Sequence, residues 1–241
     1  MIDSTLERLA LTFTVRDIMV PRSSLVCGKS SEECFRLLHE HHDYNLIPLV
    51  TDSRVTGYVD RQLGQRSIDL HEDVISDSMS LMDLMDVLRR RTFSFVLVGG
   101  RIGGYVHFSD LNNRLVELSF YVLLQAVEHH LIGRIKPLAE GELVDVLGGG
   151  RAGQLKKLMS RQALKDANLD IFSVVQLKDI LAIAKARTII DVSDERIDEV
   201  YRVRNSVSHA ESPLVGSHAE VESVAWVKDY CLGLLEAGAS L

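Results

Sequence analysis

Residues 194–213 read DERIDEVYRVRNSVSHAESP and carry Arg204, Asn205 and His209 toward the end of a helical pattern. An arginine holds two phosphoryl oxygens with its fork and stabilises charge as it grows on them, and a histidine exchanges protons near neutral pH. The trio therefore suits phosphodiester chemistry, and that chemistry requires no metal. On an ideal helix Asn205 and His209 share a face, whereas Arg204 lies about 140° around from His209. Reach along the arginine, or a helix that loosens after Ser208, is needed to bring guanidinium and imidazole together. The other reading of the same residues is that they cap the helix end and pair with nearby acids.

The elements that position this trio follow from periodicity. Beyond residue 110 the apolar residues recur at helical spacing, beginning with Leu115, Leu118 and Val122 and continuing to about Ile135. Further helices are predicted near 151–166, 173–190, 194–209 and 217–236. Pro137, Gly148 to Gly150, Asp191 to Ser193, and Ser212-Pro213 separate them. The second half, 115–241, thus reads as an all-α bundle. Arg151, Lys156, Lys157, Arg161 and Lys165 gather on one of its helices, as a solvated face or an RNA-facing patch.

The first half is organised by an internal repeat of 47 positions. YNLIPLVTDSRVTGYV (44–59) lies over RTFSFVLVGGRIGGYV (91–106) without a gap, and each copy predicts a β-hairpin with its turn at Asp52-Ser53 or Gly99-Gly100. An amphipathic helix precedes each hairpin, with Ser30 and Glu33 as a capping box in one and Ser80 and Asp83 in the other. Ser109 or Asp110 is placed to cap the helix that follows. Two β-α-β-β units of this size bury a core only by packing together, which predicts one α+β domain over 1–114.

TVRDIMVPR at 14–22 followed by these two units resembles a tandem pair of cystathionine-β-synthase (CBS) domains, over roughly residues 14–114. In that family the paired repeats bind adenine nucleotides between them, and an Asp opening the last helix of a repeat accepts from the ribose hydroxyls. In GYVHFSDL that Asp is Asp110, flanked by Ser109, and His107 stands where the family usually has Ser or Thr; these three are the nucleotide-binding candidates. GYVDRQLG of the first repeat has Leu63 at the matching position, so at most one ribose site is intact. The resemblance implies AMP or ATP as a regulatory ligand. In the blander alternative Asp110 is only a helix cap and the pair only a dimerisation module.

RNSVSH resembles the Arg-polar-x3-His signature of HEPN domains, helical bundles found in many metal-independent ribonucleases, over roughly 115–236. That resemblance implies a homodimer whose motifs face one groove, with RNA as substrate and its 2′-OH attacking the adjacent phosphate. Arg204 then binds the phosphate, His209 transfers protons and Asn205 orients them, while Glu128 in LLQAVEHHLIGRI matches an acidic position of some members. The combined expectation is a metal-independent ribonuclease controlled by an adenine nucleotide, with no cofactor required. The alternative is a non-catalytic, nucleotide-sensing regulatory or dimerisation protein whose bundle docks a partner.

Composition narrows the field. The chain has 241 residues, 46% hydrophobic and 25% charged, with a net charge of -7, which excludes a disordered tail and indiscriminate polyanion binding. One Trp and 6% aromatics exclude a broad base-stacking surface. His39, His41, His42, His129 and His130 lack partners at zinc-ligand spacing, and the glycines at 99, 100, 103 and 104 sit in a hairpin with no GK[ST] ending. Cys27, Cys34 and Cys231 lack CxxC spacing and are expected as free thiols. Uncharged apolar runs are short and the first ten residues mix Asp, Glu and Arg. The expectation is a cytoplasmic protein without a membrane role.

Overall fold

The sheets are built on two tight turns. Asp52 and Ser53 take φ of 48° and 63°, and Gly99 and Gly100 take 56° and 78°; positive φ at both central residues matches the twist of the strands that a two-residue turn joins. In this computed structural model, which describes residues 8–135, 140–163, 174–209 and 212–239, the turns connect β2 (Leu46–Thr51) to β3 (Arg54–Asp60) and β6 (Phe93–Val98) to β7 (Arg101–His107). The helix before each hairpin is α2 (Ser31–Glu40) or α3 (Leu81–Leu88). Ser30 Oγ accepts from the Glu33 N–H at 3.2 Å and Ser80 Oγ from the Asp83 N–H at 3.0 Å. The Glu33 carboxylate returns to the Lys29 N–H, at 2.8 Å, one residue earlier than a capping box requires.

The repeats exchange their first strands. β1 (Val20–Pro21), after the short α1 (Val15–Ile18), pairs antiparallel with β7 of the other repeat, Val20 opposite Tyr105. In return β4 (Gly64–Ser67) pairs with β3, Tyr58 opposite Arg66. The sheet orders are β1-β7-β6-β5 and β2-β3-β4, where β5 is Val74–Ser76. The period of 47 reappears in the pairing, since Gly28 bridges Leu49 in parallel and Ile75 pairs with Val96 in parallel. It also explains the Gly of each Gly-Tyr-Val. A Cβ on Gly57 would lie 2.7 Å from the Arg66 carbonyl oxygen, and one on Gly104 would lie 2.9 Å from that of Val20, so the exchanged strand passes only over glycine. Tyr58, Phe93, Phe95 and Tyr105 form an aromatic cluster between the two sheets, with centroids 5.4 to 6.0 Å apart.

A 3-10 turn (Phe108–Asn112) leads from β7 to α4 (Arg114–Ile135). The cap of α4 is Asn113, whose Oδ1 accepts from the Leu115 N–H at 2.9 Å; the expectation of Ser109 or Asp110 there is corrected, because both lie inside the 3-10 turn. Beyond it come α5 (Glu140–Ala163), α6 (Leu177–Ala186), α7 (Asp194–Ser208) and α8 (His218–Ala239). Gly148, at φ 74°, interrupts α5 as the glycine run predicts. The Arg151 guanidinium pairs with buried Asp179 in two bonds of 3.0 and 2.7 Å and joins α5 to α6. Lys156 and Lys157 are exposed; Lys165 and the side chain of Arg161 lie outside the described residues.

By length and composition α4 is long and apolar enough to cross a membrane, and 56% of its most apolar window is buried inside the protein. Glu117 and Glu128 interrupt the apolar residues, so a search for uncharged runs passes over it. Phe120, Leu123, Leu124, Val127 and Leu131 of this helix are at most 2% exposed. The three thiols are free; Cys34 and Cys231 are buried and Cys27 is half-buried.

Two compact units result. One holds Leu11–Val116 together with Val215–Glu222, and the other holds the helices of Glu117–Leu214 and Ser223–Leu241. The sheet unit thus includes eight residues from late in the chain, Val215–Glu222, that no reading of contiguous segments assigns to it.

Candidate functional site

In the sheet unit, His107, Ser109 and Asp110 come together on one cavity of about 320 Å³, a volume suited to a small ligand. Its other walls come from the β1 segment (Val20, Ser24 to Val26), the loop Asp43 to Asn45, the start of β2, and Tyr105. The geometry of Asp110 follows from the 3-10 turn. Its Oδ2 accepts the His107 N–H at 2.7 Å, while Oδ1 has no hydrogen bond among the described residues. Burial pushes the Asp110 carboxyl above its usual range, and the His107 N–H pulls it back.

The His107 ring is set by Ser109. The Ser109 N–H donates to Nδ1 at 3.3 Å and the hydroxyl lies 2.8 Å from the same nitrogen, so the proton of the neutral ring sits on Nε2. Burial, and behind it the charge of His218, hold this imidazole below its usual range. Burial likewise raises the Tyr105 phenol, with the charges of Asp110 and Asp60 adding to the effect.

Arg61 does not line the cavity but braces one of its walls, and it was not singled out from sequence. Its Nη2 donates to the carbonyls of Leu38, His41 and Tyr44, the last two at 2.9 Å, and its Nε to Tyr44 at 3.1 Å. One guanidinium therefore satisfies the C-terminal carbonyls of α2 and fixes the 41–45 loop. In the first repeat, at Leu63, Asp60 Oδ1 accepts the N–H groups of both Gln62 and Leu63, at 2.8 and 2.9 Å, and Leu63 is exposed. That loop closes on itself.

In the helical unit, Asn205 and His209 line one open depression with Asp198, Tyr201, Arg202 and Ser206. The helix runs to Ser208; the His209 N–H still reaches the Asn205 carbonyl at 2.9 Å, and the backbone then turns extended (φ -129°, ψ 115°), leaving the exposed imidazole at the rim. Arg204 does not line the depression. Its charge acts on Glu128 of α4, whose carboxyl is pushed up by burial and held down by Arg204 and by Gln125, the latter donating to Oε2 at 3.2 Å. The four candidates thus do not converge: Asn205 and His209 line the depression, and Arg204 and Glu128 do not. The arginine that lines the depression is Arg202, which donates to Ser223 Oγ at 3.2 Å, and Ser223 Oγ in turn donates to Glu199 at 2.7 Å. Spacing gave no sign of Arg202, because it lies seven residues before His209 in a motif read from Arg204 onward. No group of three or more His, Cys, Asp or Glu able to hold a metal occurs among the described residues.

No protein-family model matches the chain, and no curated protein sequence matches it. Among solved structures, the CBS domain of the bacterial CNNM/CorC family Mg2+ transporter in complex with ATP is 21% identical, over 47% of this chain and 94% of that one, with a TM-score of 0.35. A hemolysin-like protein containing a CBS domain, from Oenococcus oeni PSU, is 18% identical over 46% of this chain and 96% of its own, at a TM-score of 0.35. An uncharacterized conserved protein from Pyrococcus horikoshii is 17% identical over 42% and 90%, at 0.33.

Proposed function

We propose that the sheet unit is a nucleotide-sensing module of the CBS-pair kind and that it takes an adenine nucleotide, AMP or ATP, in the cavity that bears Asp110. The observation that carries this reading is the Asp110 carboxylate itself, held by the His107 N–H on one oxygen and open on the other, at the edge of a cavity with apolar walls. A carboxylate so held accepts from both hydroxyls of a ribose, and the apolar walls receive a base. Calorimetric titration of the full chain with AMP, ATP and GTP tests it. Micromolar to millimolar binding of an adenine nucleotide, lost in Asp110→Asn, is expected. Equal affinity in Asp110→Asn, or no binding at several millimolar, overturns it.

A second reading adds an activity, that of a metal-independent endoribonuclease working as a homodimer under control of that nucleotide. It is favoured by Asn205 and His209 sharing one depression with an arginine; the absence of Arg204 from that depression favours instead a helical unit that binds without cutting. Labelled mixed-sequence RNA incubated in EDTA separates them. Cleavage leaving 2′,3′-cyclic phosphate ends, abolished in His209→Ala, supports the ribonuclease. Intact RNA, or equal cleavage by wild type and variant, leaves the sensing role alone. Light scattering on the purified chain tests the dimer, and a monomer removes any composite groove.

A further inference from the structure

A second cavity in the sheet unit, of about 260 Å³, is lined by Arg22, Arg54 and Arg101 together with Val55, Leu97 and Ile102. Two features set it apart. No carboxylate lines it, and none of the three guanidinium groups makes an ion pair or hydrogen bond among the described residues, although the chain carries 34 acidic residues and a net charge of -7. Like charges converging without a counter-charge raise the energy of the empty protein, and an anion relieves it.

The placement follows from the repeat. Arg54 and Arg101 are the first residues of β3 and β7, each directly after a hairpin turn, and they stand 47 positions apart. The two copies of the hairpin therefore bring equivalent arginines to one cavity, and Arg22 joins them from just beyond β1, the exchanged strand. Val55 and Ile102, also equivalent in the repeats, give this cavity a half-buried apolar floor beneath the exposed Arg54 and Arg101.

We propose that Arg22, Arg54 and Arg101 form an oligophosphate site separate from the Asp110 cavity. Paired guanidinium forks hold paired phosphoryl groups, and three positive charges match a diphosphate better than a single monoanion. Free pyrophosphate and the phosphate chain of a nucleotide share this chemistry, and the titration arms distinguish them.

The test is calorimetric titration of the full chain with sodium pyrophosphate at constant ionic strength, repeated with sodium sulfate, in wild type, Arg54→Gln/Arg101→Gln and Asp110→Asn. Pyrophosphate is expected to bind wild type and Asp110→Asn alike and the double variant about tenfold or more weakly. A melting temperature within a degree or two of wild type shows that the variant folds. Saturating pyrophosphate should leave AMP affinity unchanged, whereas competition would place the phosphates of a nucleotide in this site and deny its separateness. Equal affinity in the double variant, loss in Asp110→Asn, competition with AMP, sulfate binding as tightly, or no heat at millimolar pyrophosphate each overturns the proposal. Pyrophosphate binding without AMP binding would sustain this site while removing the adenine-nucleotide reading, so the two fail separately.

Discussion

Asn112 and Val215, 103 residues apart in the chain, exchange two hydrogen bonds: Asn112 Nδ2 donates to the Val215 carbonyl at 2.9 Å, and the Val215 N–H donates to Asn112 Oδ1 at 3.0 Å. The amide side chain thereby acts as a strand partner for one residue and ties the Val215–Glu222 segment to the 3-10 turn that holds Asp110. Three residues on, His218 Nε2 lies 2.7 Å from the Leu88 carbonyl, with its ring 5.6 Å from that of Phe108. The residues carrying Asp110 are thus bonded to the Val215–Glu222 segment of the same unit.

Asn112→Ala removes both bonds and leaves two backbone groups of Val215, itself 2% exposed, without partners. A loss of about 1–3 kcal/mol is expected, read as a lower urea midpoint, with faster hydrogen exchange at the Val215 amide. An unchanged midpoint would show that water replaces the clamp at no cost.

Nucleotide affinity should depend on pH through Asp110. Its carboxyl titrates above the ordinary range because of burial, and ribose hydroxyls bond the ionised form. Affinity for AMP therefore rises as the carboxyl ionises and falls as pH drops through that raised value, with proton release on binding around and just below it. The stability of the unliganded protein moves the other way. A folded pKa above the unfolded one makes this group's contribution decline as pH rises through the same window. Titrations from pH 4 to 8 check the first statement; a flat profile, or one identical in Asp110→Asn, counts against it.

Arg204→Ala should raise the Glu128 carboxyl further, since burial already pushes it up and Arg204 is the charge that opposes this. The variant then loses more stability where Glu128 is ionised than where it is protonated, so its deficit grows as pH rises from 4 through the raised carboxyl's titration. Melting temperatures of both proteins across that range measure it. A deficit independent of pH would mean that the two side chains do not interact.

Glycine substitutions separate close approach from mere flexibility. Gly104→Ala places a methyl 2.9 Å from the Val20 carbonyl oxygen and 2.7 Å from Met19 Sδ, so the β1–β7 pairing must shift, and a loss of about 1–3 kcal/mol is expected. Gly133→Ala, in α4 with nothing within 4 Å, should stabilise by about 0.5–1 kcal/mol. Denaturant midpoints test both, and equal effects would refute the role given to Gly104 in strand exchange.

Local chemistry was legible in the sequence. The two hairpins and their turns, the caps at Ser30 and Ser80, and the helical periodicity beyond residue 110 depend on residues within a few positions of each other. So does the 3-10 geometry that joins His107, Ser109 and Asp110, although His107 as its cap was not foreseen, because an imidazole seldom takes that place. Exchange of β1 and β4 between the repeats was not legible. Either strand satisfies its own backbone on either hairpin, and only packing of the two sheets around Tyr58, Phe95 and Tyr105 decides which edge it meets. The same reason hid the Arg61 clamp, the membership of Val215–Glu222, and the convergence of Arg22, Arg54 and Arg101. The motif at 204–209 shows the division most plainly: its residue types are a property of the sequence, but a helix that stays regular to Ser208 keeps Arg204 out of the depression that Arg202 and His209 line. Sequence by itself determined the elements and the chemistry each can offer; tertiary structure decided which side chains meet, because contacts between distant residues carry no periodic signal along the chain.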